Sequence, residues 1–244
     1  MNRIRVLDRA TIDKIAAGEV VESPASVVKE LVENAIDAGS TRITVELKGG
    51  GTEMIRVTDN GEGIGGDDIR TAFLPHATSK IKDADDLMAL SSLGFRGEAL
   101  SSICAVSRVE LITRKDDDLT AWRYVIEGGE EKDLEEIGAP GGTTIIVRDI
   151  FFNTPARAKF LKSPSTEGAR AGAYVEQLVM SNPGIAFTFI LNGRQKITSP
   201  GSGKLSDAIY GIYGKDVFHG LIPVSYKARD DSGDGGSMTI GGMI

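Results

Sequence analysis

Residues 41–59 read as two strands folded back on a run of three glycines: TRITVEL, then GGG at 49–51, then EMIRVTD. TRITVEL alternates with the period of two that a half-buried strand needs, and the glycines supply the turn. A β-hairpin at this place makes the sheet antiparallel where it begins, which excludes a regular βαβ winding. A second hairpin is signalled over 184–199, GIAFTFILNGRQKITS, by its Asn192-Gly193 turn. Further strand runs fall at 107–114, 120–127, 133–137 and 143–149.

Helices are interspersed without regular alternation. One covers about 11–18. A stronger one covers 24–38, where Ser23-Pro24 supplies an N-cap with proline at the first helical position and Gly39 supplies the stop. Others are predicted at 67–73 and 97–106, after the NTP at 153–155, and over 165–181. Residues 74–96 show weak periodicity and read as a long irregular segment of the kind that forms functional lids. The fold class expected is α+β, a mixed, mostly antiparallel sheet with helices on one face. SPGSGK at 199–204 reads as a linker. Beyond it the chain has the signals for one helix and one or two strands, too little for a second core. The expected division is a main domain over 1–200 and the truncated start of a second α/β subdomain over 201–244.

Composition narrows the function classes. The 244 residues are 41% hydrophobic and 26% charged, ordinary for a chain that buries a full core, and the net charge of −7 gives no global basic footprint for nucleic acid. The single cysteine, Cys104, excludes an intramolecular disulfide and points to a reducing compartment. It follows apolar Ile103 in a predicted helix and reads as core. No apolar run is long enough for a membrane span, and the acid-bearing N-terminus is not a secretory signal. With one cysteine and two distant histidines, His76 and His219, a zinc site is not credible.

The chemistry-bearing residues sit at the ends of these elements. On helix 24–38, Val28, Leu31, Val32 and Ala35 make the core stripe, with Ile36 at its edge. Glu30, Asn34 and Asp37 lie on roughly the opposite side, bordered by Val27 and Ala38. Taken alone, such a stripe reads first as a solvated face; the mid-helix asparagine opens the second reading, a carboxylate that deprotonates a water beside an amide oxygen hard enough for Mg²⁺. DNGEGI at 59–64 follows directly on a strand. Asp59 is placed to accept from an exocyclic amine, while Gly61 and Gly63 allow a close approach or a positive φ; the same residues also make a good turn. GFRGEAL at 94–100 puts two glycines before a helix start, where free N–H groups attract phosphate and Arg96 adds charge; taken alone it reads equally as a glycine-rich loop capping a helix. GGTTIIV at 141–147 opens a strand with Thr143 and Thr144, either of which could hydrogen-bond a base edge; taken alone the stretch reads as a β-bulge and strand.

Together these segments resemble the GHKL ATPase superfamily, which holds gyrase B, heat-shock chaperones, histidine kinases and MutL. Its four motifs stand in order: E-x-x-x-N at Glu30/Asn34, D-x-G-x-G at 59–63, the glycine-rich segment around 94–97, and G-T at 142–143. The longer stretches IAAGEVVESPASVVKELVENAIDAG (15–39), PHATSKI (75–81), LGFRGEALSSI (93–103) and FFNTPARAKFL (151–161) resemble the MutL family of mismatch-repair proteins in particular.

The resemblance implies a Bergerat-type sandwich that takes ATP and Mg²⁺. Glu30 would be the general base and Asn34 the Mg²⁺ ligand. Asp59 would contact the adenine amine, with Gly61, Gly63 and Thr143 near the base. Residues 75–100 would form the lid, bringing Lys80, Gly94, Phe95, Arg96, Gly97 and Leu100 toward the phosphates. It further implies slow hydrolysis, a dimer of N-terminal regions closed by ATP in the longer protein, and partnership with a MutS-type mismatch recognition protein, a nicking endonuclease and a helicase. The segment before about residue 20 would exchange across that dimer, while the isolated chain is left open to a monomeric state. The location implied is cytoplasmic and nucleoid-associated in a bacterium, nuclear in a eukaryote.

Arg148, Arg157, Lys159 and Lys162 read either as a patch for weak, sequence-independent, salt-sensitive DNA contact or as ordinary solvated surface. Two departures from the family stand out. Ala158 occupies a position where a basic or large residue is common, and no residue matches the second-subdomain lysine that reaches the γ-phosphate. The alternative function is therefore a nucleotide-gated interaction module that binds ATP or ADP without appreciable turnover.

Overall fold

The structure is a computed structural model and describes residues 8–78, 97–229 and 237–244. Lys80, Gly94, Phe95 and Arg96 lie outside the described residues.

Among these residues one eight-stranded sheet forms the floor of the molecule. Its strands are β1 (Arg42–Lys48), β2 (Met54–Asp59), β3 (Arg108–Arg114), β4 (Ala121–Glu127), β5 (Glu130–Ile137), β6 (Gly142–Arg148), β7 (Ala186–Leu191) and β8 (Arg194–Pro200). Their spatial order is β5-β4-β3-β6-β2-β1-β7-β8. Every pairing is antiparallel except β1 with β7, which run parallel. The first hairpin forms as expected, with Ile43 opposite Asp59 and Lys48 opposite Met54, and Gly49–Gly51 close it as one 3₁₀ turn.

The two faces of the sheet differ sharply. One carries Ile43, Val45, Leu47, Ile55, Val57, Val109, Leu111, Val147, Phe187 and Phe189, all buried. Each contributes roughly 1.5–3 kcal/mol of burial. The other face is laced with cross-strand ion pairs: Glu46 with Arg56, and Glu110 between Arg123 and Arg148.

Helices cover the apolar face. α1 is Arg9–Val20, α2 Pro24–Asp37, α3 Ile69–Ala72, α4 Ala99–Ala105, α5 Pro155–Ala158, α6 Pro164–Ser181 and α7 Leu205–Phe218. α2 lies over β1 and β2, α4 over β3 and β4, and α6 over β7, while α1 rests on α4. α2 begins as its sequence dictates: Ser23 Oγ accepts the Ser26 N–H at 3.4 Å, and Pro24 fills the first helical position. Val27, placed by the wheel at the margin of the polar stripe, is fully buried, and Glu33 is 6% exposed. Both result from α2 being flanked by α4 and α6, which widens its buried arc.

β5 is longer than predicted, beginning at Glu130 instead of 133. β8 runs to Pro200, α7 folds back onto β8, and Ala208 joins the common core. β9 (Pro223–Arg229) and β10 (Ser237–Met243) pair with each other in a separate two-stranded sheet.

Candidate nucleotide site

α2, the end of β2, the start of β6, the start of α4 and the end of α1 enclose a cavity of about 980 Å³. That is the upper part of the range for small-molecule sites. Glu30, Asn34 and Asp37 line it from α2, Asp59 and Gly63 from the β2 end, Thr143 from β6, and Gly97 and Leu100 from the α4 start. Every described member of the expected site therefore faces one space, except Gly61. Gly61 is buried behind Asp59, where a Cβ would lie 2.7 Å from both the Ala38 carbonyl and Ser40 Oγ.

Gly63 is needed for the chain's own packing. Its φ is 72°, and a Cβ there would fall 2.3 Å from the Arg114 carbonyl oxygen. Gly63 thus takes the positive φ that the sequence allowed, while Gly61 sits in a turn whose packing leaves no room for a side chain.

Asp59 sits at the centre of a small acceptor network. Its Oδ1 accepts the Gly61 N–H at 2.8 Å and the Ser40 hydroxyl at 3.2 Å. Burial pushes the Asp59 carboxyl above the usual carboxylate range, while the bonds from Gly61, Ser40 and the Thr143 N–H pull the other way. The neighbouring Asn60 clips the start of β1, accepting the Thr41 and Arg42 N–H groups at 3.0 and 2.7 Å. The wall beside it is set by Thr113, fully buried, whose Oγ1 accepts the Ile64 N–H at 2.8 Å and lies 3.1 Å from Thr143 Oγ1.

At the α2 end, Glu30 Oε1 accepts from Lys29 Nζ at 3.0 Å, and the Glu30 side chain is 22% exposed. Just before α4, Glu98 Oε1 lies 3.1 Å from His76 Nδ1.

Ser40, Thr113, Lys29 and Glu19, the last lining the cavity from α1, were not singled out by the sequence. Ser40 comes after a helix stop and reads as turn. Thr113 sits inside an ordinary strand pattern. Only the three-dimensional pairing of β2, β6 and β3 gives them roles.

Of the four basic residues weighed as a DNA patch, two have protein partners. Arg148 pairs with Glu110 on the outer face of the sheet, and Arg157 donates from Nη2 to the Ile15 carbonyl of α1 at 3.2 Å. Lys159 and Lys162 are exposed. Cys104 is buried, and its thiol donates to the Ser101 carbonyl at 3.2 Å. No described helix is long and apolar enough to cross a membrane.

Residues 21–141 match the family described as Histidine kinase-, DNA gyrase B-, and HSP90-like ATPase. The chain is 58% identical over 229 residues to the DNA mismatch repair protein MutL of Agathobacter rectalis, covering 94% of this chain. It is 52% identical over 227 residues to MutL of Symbiobacterium thermophilum, covering 93% of this chain. It spans only 35% and 36% of the length of those curated relatives. Among solved structures, the Aquifex aeolicus MutL ATPase domain complexed with ADP matches with a TM-score of 0.67 at 30% identity, covering 87% of this chain and 79% of that one. The N-terminal domain of a DNA repair protein matches with a TM-score of 0.76 at 26% identity, covering 89% of this chain and 65% of that one. With its eight-stranded sheet, its helical layer and its cavity beside α2, the chain belongs to the MutL family of DNA mismatch repair proteins and has the GHKL ATPase fold.

Proposed function

We propose that this chain is the ATP-binding and slowly hydrolysing N-terminal module of a MutL-type mismatch repair protein. The observation that carries the reading is the convergence of Glu30, Asn34, Asp59 and Thr143, from three separate elements, on one cavity. The relative solved with ADP supports a nucleotide as the occupant.

The assignment of ends rests on chemistry. Asp59, an acceptor held by Ser40 and Gly61 at a strand end, suits the exocyclic amine of adenine, with Thr143 and the Gly63 loop beside the base. Glu30, on the helix that leads away from that end, suits the proton of an attacking water. The start of α4, with Gly97 and Leu100, faces the phosphate end. Lys80, Gly94, Phe95 and Arg96 are assigned to the same end on the family motif.

The donor set fits magnesium better than zinc. Among the described residues no group of three or more His, Cys, Asp or Glu side chains could hold a metal. Asn34 offers one hard amide oxygen at the cavity wall, and Mg²⁺ is commonly held by one or two protein groups with phosphate oxygens and water completing the shell. When bound, it would neutralise charge on the phosphates.

For the longer protein we further propose ATP-closed pairing of N-terminal modules, a signal from a MutS-type partner to a nicking endonuclease and helicase, and Mg²⁺-dependent turnover. Residues 201–244 are proposed as the opening of a second subdomain; β9 and β10, which pair apart from the main sheet, support this, while α7 packs on β8 of the main domain.

The test is a magnesium-dependent single-turnover assay of phosphate release with a parallel nucleotide-binding measurement. Glu30→Ala is expected to bind ATP as the wild type does and to lose at least about a hundredfold in hydrolysis. Wild-type release equal to that of the variant rejects the base assignment and favours a nucleotide-gated interaction module.

A further inference from the structure

Three charged or hydroxyl side chains connect the cavity to the core of the helical layer. Lys29 Nζ donates to Glu30 Oε1 at 3.0 Å and to Glu33 Oε2 at 3.0 Å. The Tyr174 hydroxyl on α6 donates to Glu33 Oε1 at 2.8 Å. Both Glu33 oxygens are thereby taken, and the side chain is 8% exposed. Tyr174 stands on the face of α6 that is anchored by buried Ala171, Val175 and Leu178. A carboxylate this deeply buried is costly unless paired and hydrogen-bonded, and here it has a cation and a phenol.

We propose that Lys29 is a positioning residue for Glu30: its ammonium, braced through Glu33 against the Tyr174 hydroxyl, fixes the rotamer in which the Glu30 carboxylate meets the cavity. The inference rests on Glu30 acting as the base.

The bracing is built from groups that keep their protons. Burial draws the Lys29 ammonium down, but its bonds to Glu30 and Glu33 outweigh that and hold it above the usual lysine range. Burial and the bond to Glu33 push the Tyr174 hydroxyl up to about 12, so it remains a donor. Lys29 engages one oxygen of Glu30, Oε1, and its own freedom is limited by the second bond to Glu33. A surface lysine paired with its sequence neighbour alone would impose little order, because water screens exposed ion pairs and they contribute little. The tie to a buried carboxylate and a core helix is what distinguishes this one.

The test uses Lys29→Met, Lys29→Arg, Tyr174→Phe and Glu30→Gln in this chain, with Arg123→Gln on the outer sheet face as a control. The first readout needs no turnover: the side-chain carboxyl ¹³C resonance of Glu30, assigned by its loss in Glu30→Gln, in the nucleotide-free protein at neutral pH. It is expected to move in Lys29→Met, to move less in Tyr174→Phe, and to stay in Arg123→Gln. A Glu30 resonance unmoved in Lys29→Met overturns the proposal.

The second readout is single-turnover hydrolysis beside binding of a non-hydrolysable ATP analogue. Lys29→Met is expected to lose about tenfold or more in rate with analogue affinity kept within about twofold, since misplacing a reacting group by an ångström costs up to about a hundredfold. Lys29→Arg is expected to recover most of the rate. A Lys29→Met rate equal to or above wild type overturns the proposal, as does a loss that Lys29→Arg does not recover. If Glu30→Gln hydrolyses as fast as wild type, the base reading itself falls; the resonance then still decides whether Lys29 holds Glu30.

Discussion

Arg157 lies directly against Gly18: a Cβ on Gly18 would fall 1.8 Å from Arg157 Nη2, the atom that donates to the Ile15 carbonyl. α1 is thus docked over the NTPAR turn through a position with no side chain. Two effects oppose each other in Gly18→Ala. Alanine improves helix propensity by about 1 kcal/mol. Displacing the guanidinium loses a bond of roughly 0.5–1.5 kcal/mol together with the packing of Arg157 against α1. The docking loss is expected to win. Amide hydrogen exchange over 12–20 should quicken while the global melting temperature changes little. Exchange as slow as in wild type would mean that the guanidinium relocates without cost.

Gly63→Ala is expected to destabilise the chain by roughly 2–5 kcal/mol, combining a left-handed backbone with a collision against a main-chain oxygen that cannot swing aside. Urea unfolding measures it. A loss below about 1 kcal/mol would show that the loop re-forms around the methyl.

Asp59→Asn should trade function for stability. A carboxyl whose folded pKa is raised contributes stability at low pH and loses it as the pH rises through that pKa. Asparagine has no such proton to lose. The stability of Asp59→Asn relative to wild type is therefore expected to be greater at pH 7 than at pH 4, with nucleotide affinity at pH 7 reduced about tenfold or more. Urea titrations at the two pH values check the sign, and a pH-independent difference contradicts it.

The two faces of the sheet should respond very differently to truncation. Arg56→Ala removes an ion pair whose arginine is 45% exposed and is expected to cost less than about 1 kcal/mol. Leu47→Ala opens a cavity at a fully buried position and is expected to cost about 2–5 kcal/mol. Equal effects would mean that the outer face is covered in solution.

What the sequence revealed was what short stretches encode. The GGG hairpin, the Asn192-Gly193 turn and the Ser23-Pro24 helix start are local chemistry, and the structure has them where they were expected. The first residues of β5, Glu130 to Lys132, are charged edge-strand residues with no apolar alternation, so their pairing with β4 was invisible. A helical wheel shows one stripe, so it could not anticipate that α2 is squeezed from two sides, burying Val27 and Glu33. The co-location of Glu30, Asp59 and Thr143 came from the order of family motifs, because no local rule joins residues so far apart. Lys29 and Tyr174 fall within ordinary helical patterns, and their connection through Glu33 is a tertiary fact.

β6 pairs with β2 on one side and β3 on the other. The α2 wall and the β2 end of the cavity come from one short stretch of chain, whereas Thr143 arrives only after the β3–β4–β5 meander has been made and β6 has returned between strands much earlier in sequence. Loop-closure entropy delays such non-local pairing. The cavity is therefore expected to be completed last at Thr143 as the chain folds, so that a newly made molecule would gain nucleotide affinity only once β6 has slotted into the sheet.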